Sequence, residues 1–141
     1  MHLSINLQNS IRVPLSAWLL GLACVLLLTG CGEKLITVKG TLLNNQKPLE
    51  LGPTGSILIT LVPDVPPDTP HSTYPGYVDA TGKFEIAEKV RPGKYKVAVV
   101  QNDPLPGDDK LKGKFSIKNT TIVREIVDEK TPLTIDLANP S

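Results

Sequence analysis

Lys94-Tyr95-Lys96-Val97-Ala98-Val99-Val100 alternates lysine with apolar side chains at its start, which puts Tyr95, Val97 and Val99 on one face. A period of two is the signature of a pleated strand, because successive side chains leave opposite faces of the backbone. The run is entered through Pro92-Gly93. Proline fixes φ going into a tight turn, glycine accepts a positive φ, and Tyr95 then starts the strand with its ring toward the core.

Upstream of this strand the same period recurs between turn residues. Over residues 35–43, Ile36, Val38 and Leu42 share one face with Gly40, while Thr37, Lys39 and Thr41 share the other; Asn44-Asn45-Gln46-Lys47-Pro48 breaks the run. Residues 56–62 are mostly apolar and β-branched, the composition of a central strand buried on both faces, and Pro63 ends it by removing a ladder donor. Residues 76–80 and 83–87 flank Thr81-Gly82 as a hairpin, with Phe84 and Ile86 inward. Downstream, residues 122–127 and 133–138 complete the set, and Leu133, Ile135 and Leu137 share a face.

No window keeps apolar residues at helical spacing for three turns. Seven short strands with turns between them predict an all-β protein, arranged as an antiparallel Greek-key β-sandwich. Two connections rich in Pro and Asp, residues 64–75 and 102–112, are expected to run over the surface.

Ahead of the strands the composition changes. Arg12 is the only Lys or Arg before Lys34, and residues 17–28 contain no charged, amide or hydroxyl side chain. That order of a cationic start, an apolar stretch and small residues is the order of a secretory signal peptide. The apolar run over 13–28 falls short of the roughly 20 residues that span a bilayer, and it contains Pro14 and Gly21. It ends in Leu28-Thr29-Gly30-Cys31, which resembles the lipobox of bacterial lipoproteins. The resemblance implies cleavage between Gly30 and Cys31, diacylglyceryl transfer to the Cys31 sulfur and acylation of the new amino group. Two or three acyl chains hold a protein at a membrane, since each buried CH₂ contributes about 0.8 kcal/mol and a single chain is marginal. Gly32 follows the cysteine. In well-studied bacteria an Asp there favours the inner membrane, so Gly32 favours the outer one.

The chain thus divides into a leader over 1–30, the lipidated cysteine with a short tether over 31–34, and a β domain over 35–138. Cys24 leaves with the leader, so the exported part has no free thiol, which suits an oxidising compartment. Without Arg12 the 15 basic residues become 14, matching 14 acidic ones. Such a balance gives no basic stripe to displace counterions from phosphates, so nucleic acid is not expected as a partner.

Three segments of the β domain share one spacing with a known family: Val38-x-Gly40-Thr41-Leu42, Gly76-Tyr77-Val78-Asp79-Ala80-Thr81-Gly82-Lys83-Phe84, and Val90-Arg91-Pro92-Gly93-Lys94-Tyr95-Lys96-Val97. They resemble the carboxypeptidase regulatory-like, or transthyretin-like, β-sandwich domain of small bacterial lipoproteins, over most of residues 35–138. Gly82, Pro92, Gly93 and Tyr95 carry the resemblance most specifically. They are fold determinants, and nothing of a metallocarboxypeptidase catalytic domain accompanies them. The terminal Ala138-Asn139-Pro140-Ser141 does not match the C-terminal tetrapeptide of the transthyretin-like hydrolases of hydroxyisourate, so that activity is not carried over.

The candidate sites are sparse. His71, alone in the exported part, lies in a loop and reads as an exposed histidine rather than a catalytic base. One His without a free Cys cannot meet the three or four ligands of a zinc site, and no metal or other cofactor is expected. Asp79-Ala80-Thr81-Gly82-Lys83 lacks the alternating oxygens of a calcium loop and is better explained by the hairpin. Asp103, Asp108 and Asp109 beside Lys110 and Lys112 read as a solvated mixed-charge loop. Tyr74 and Tyr77 offer a small aromatic platform. The sequon Asn119-Thr120-Thr121 has no expected use in a bacterial lipoprotein.

The sequence therefore predicts an envelope lipoprotein whose partners are membrane lipid, through acylated Cys31, and an envelope protein or glycan. The β domain is expected to bind or support rather than catalyse. A carbohydrate-binding module built on Tyr74 and Tyr77, and a hydrolase built on the loop carboxylates, are the alternatives.

Overall fold

A computed structural model describes residues 34–66 and 70–140. The leader, the lipobox Leu28-Thr29-Gly30 and Cys31 lie outside the described residues.

Seven strands follow one another without an intervening helix among the described residues: β1 (Lys39–Leu43), β2 (Ser56–Pro63), β3 (Tyr74–Val78), β4 (Lys83–Ile86), β5 (Gly93–Asn102), β6 (Val123–Ile126) and β7 (Leu133–Asp136). The spine of the fold is the β2–β5 pair, in register from Ser56 opposite Asn102 to Pro63 opposite Tyr95. On the core face Ile59 lies opposite Val99 and Leu61 opposite Val97, while Ile57 and Tyr95 extend the same buried cluster at either end. β-Branched side chains suit such a pleated, half-covered surface. On the other face of the same strands Thr60, Val62 and Ala98 are also buried, in keeping with a central strand.

The strand order is β6-β5-β2-β3-β4-β1-β7 in one sheet. The expected all-antiparallel arrangement is corrected here: β7 lies parallel to β1, with Gly40 opposite Leu133 and Leu43 opposite Asp136, so the sheet is mixed. The reason is topological. After β6, at one edge, the chain crosses to the other edge and runs beside β1 in the same direction. The sheet curls into a half-barrel around its own core rather than dividing into two hydrogen-bonded layers. Ile126 at one edge and Ile135 at the other are buried in the same cluster as Leu42, Val78 and Ile86. The Arg124 guanidinium of β6 donates to the Pro140 carbonyl beyond β7, tying the two edges together.

The first strand is shorter than its alternating pattern. Ile36 forms only an isolated bridge with Val90, though Ile36, Val38, Gly40 and Leu42 do turn inward together. The segment between β5 and β6 is a chain of turns rather than a bare surface loop. It carries Phe115 into the core, and the Phe115 carbonyl accepts the Val99 N–H.

Candidate functional site

The Pro92-Gly93 turn sets one end of the half-barrel. Gly93 adopts a φ of 155° and Tyr95 enters β5 with its ring in the core. The Tyr95 hydroxyl donates to the Arg91 carbonyl at 2.8 Å, and its ring meets Tyr74 edge-on, with centroids 6.1 Å apart. Burial, with Tyr74 adding to it, pushes the Tyr95 phenol above its ordinary pKa, so it stays a neutral donor.

Around this turn lies an open depression of about 880 Å³, whose lining includes Leu35, Val65, His71, Glu88, Arg91 and Lys94. It sits where the described chain begins, since Leu35 adjoins the Ile36–Val90 bridge. His71 is exposed at its rim.

The two candidate platform tyrosines are not brought together. Along β3, Tyr74, Gly76 and Val78 turn inward while Pro75 and Tyr77 turn outward. Tyr74 is half-buried against Tyr95, whereas Tyr77 is 72% exposed on the opposite face. Its cross-strand neighbour there is Glu85, which pairs with Lys39 at 3.0 Å.

At the far end of the sheet four aspartates fasten turns. Asp79 accepts hydrogen bonds from the Thr81 hydroxyl and from the Thr81 and Lys83 N–H groups. This closes the hairpin in which Gly82 takes a φ of 81°. A side chain at Gly82 would approach the Leu42 carbonyl to 2.6 Å, so glycine is required there on two counts. Asp103 bridges Lys110 at 2.8 Å and accepts the Gly52 N–H. Asp109 accepts the N–H groups of Gln101, Leu111 and Gly113. Asp136 accepts those of Ala138, Asn45 and Gln46, the last two at positive φ.

These contacts decide the chemistry of the carboxyls. Asp79 is held below the ordinary carboxylate pKa mainly by the Thr81 hydroxyl, Asp103 mainly by Lys110, and Asp136 mainly by the Ala138 N–H. For Asp109 burial is the largest single influence and pushes upward, but the three N–H donors together outweigh it. A carboxylate saturated by donors and kept ionised has no proton to give as a general acid. Asp103 and Asp109 are therefore corrected from a solvated cluster to turn fasteners, and Asp108 stays exposed.

Among the described residues no three His, Cys, Asp or Glu side chains gather into a set able to hold a metal ion. The Asn119 amide of the sequon donates to the Gly113 carbonyl. Sequence reasoning missed Asp136 altogether. Its only signal was the Asn45-Gln46 pair, whose turn needed an outside acceptor.

No family model matches the chain, and neither the curated proteins nor the solved structures contain a match to it.

Proposed function

We propose that this protein is a lipid-anchored component of the bacterial envelope whose β domain acts as a non-catalytic binding or adaptor module. The observation that carries the reading is Leu28-Thr29-Gly30-Cys31 placed directly behind the apolar run over 13–28. The module is held close to the membrane, because the three residues from Cys31 to Lys34 reach about 10 Å at most.

Two features favour a binding role. Among the described residues Asp79, Asp109 and Asp136 are held ionised by turn donors, which disfavours them as general acids. The sheet ends at β6 and β7, and an outer strand edge can accept an extended segment of a partner protein by strand addition. For the finer fold, the reading is a Greek-key, transthyretin-like β-sandwich. The Tyr95 hydroxyl returning to the Arg91 carbonyl supports it, because a corner of that kind recurs in sandwich domains.

The test is complementation of a deletion strain by a secreted, unlipidated form. The reading predicts that this form fails to restore the phenotype while the anchored chain succeeds. Full restoration by the secreted form would overturn it.

A further inference from the structure

Large apolar side chains left in water on a small domain mark contact surfaces when they gather. Three of them gather at one end here. Leu35 is 48% exposed and adjoins the Ile36–Val90 bridge. Val65 is 38% exposed just beyond β2, where the Asp64 N–H donates to the Lys94 carbonyl. Val127 is 66% exposed one residue past Ile126, which pairs with Gly93. All three therefore surround the Arg91–Lys94 turn.

The charges at this end are arranged unequally. Lys34, Lys89 and Lys94 are exposed and form no ion pair among the described residues, and Arg91 is exposed beside them. The acidic groups are largely engaged within the protein. Asp64 pairs with Lys96, Glu129 accepts the Thr37 N–H, and Asp128 accepts the Lys130 and Thr131 N–H groups; among the described residues Glu88 and Glu125, the latter opposite Lys94 in the β5–β6 ladder, are the other carboxylates at this end. Apolar side chains ringed by exposed ammonium groups match the boundary between acyl chains and headgroup phosphates.

The chain also enters the domain here, at Lys34, three residues after the cysteine read above as the anchor. We infer that this end is a membrane-docking face: Leu35, Val65 and Val127 insert into the bilayer surface while Lys34, Lys89, Arg91 and Lys94 meet lipid phosphates. The inference rests on the anchoring reading and adds an orientation to it. The domain stands on its Arg91–Lys94 end, with the aspartate-fastened turns pointing away from the lipid. Those distal turns then face away from the lipid, toward a partner.

The test uses the processed, anchored protein reconstituted in vesicles of phosphatidylethanolamine and phosphatidylglycerol. Cysteine is introduced singly as Leu35→Cys, Val65→Cys, Val127→Cys and, at the opposite end, Leu105→Cys, which is 52% exposed where its N–H meets the Thr54 carbonyl. Each thiol is labelled with a small fluorophore and quenched by lipid brominated along the acyl chain. Insertion of about 5–10 Å predicts strong quenching at the first three positions, at least double that at Leu105, and weaker quenching when phosphatidylglycerol is omitted. Equal quenching at both ends, quenching only at Leu105, or none would overturn the docking face. The mass of the Cys31 peptide is read on the same samples. An unmodified Cys31 sinks the anchoring reading and this inference with it, whereas a lipidated Cys31 with the wrong quenching pattern sinks only the inference.

Discussion

Replacing Asp109 with alanine tests the account of the turns at its most demanding point. The carboxylate receives the Gln101 N–H at 2.9 Å and the Leu111 N–H at 3.0 Å on one oxygen, and the Gly113 N–H at 2.8 Å on the other. Hydrogen bonds to a charged group contribute about 1.5–3 kcal/mol each, so three set an upper bound of about 4.5–9 kcal/mol. Leu111 and Gly113 are half-buried and their donors can turn to water, while Gln101 is only 6% exposed and its donor cannot. Only the Gln101 donor then bears the full desolvation penalty, and the expected loss is about 2–4 kcal/mol. For a domain of this size that lowers Tm by roughly 10–25 °C. The assay is thermal and urea unfolding of the β domain followed by circular dichroism, with Asp108→Ala as the control. Asp108 is exposed, so its substitution should stay within about 0.5 kcal/mol. If Asp109→Ala unfolded as late as the control, the carboxylate would not be fastening the turn and the reasoning would fail.

Gly40→Ala drives a methyl into the Leu133 carbonyl and to 2.5 Å from the Phe84 ring. With β1 held between β4 and β7, a loss of about 1–3 kcal/mol is expected from the urea midpoint. Tyr95→Phe keeps the ring and removes the donor to the Arg91 carbonyl, so unfolding should show a loss of about 1 kcal/mol. In acid, Asp79, Asp103, Asp109 and Asp136 have folded-state pKa values below the unfolded value of about 3.9. Their contribution is thus present above that value and lost as pH falls through the folded values. A urea midpoint flat from pH 7 to about pH 5 and falling below about pH 4 is the expected profile.

The strands were legible wherever one face is wet. Tyr95, Val97 and Val99 write their alternation into the sequence because water covers the other side of β5 at Lys94. Direction was not legible, since Leu133, Ile135 and Leu137 alternate identically whether β7 runs with β1 or against it. The burial of Phe115 was not legible, because a chain of turns has no period to read. Asp109 looked solvated because its partners are backbone N–H groups, which every residue but proline supplies and no motif announces. The tyrosine platform failed on parity. Residues three apart on a strand face opposite ways, and β3 begins at Tyr74 rather than at Gly76.

The most direct test of the whole account is the intact mass of the polypeptide purified from its native membrane. The expected polypeptide has lost residues 1–30 and begins at a Cys31 carrying diacylglycerol on sulfur, with a further acyl group on its amine. A chain that still begins at Met1 and bears a free Cys31 thiol would contradict this expectation.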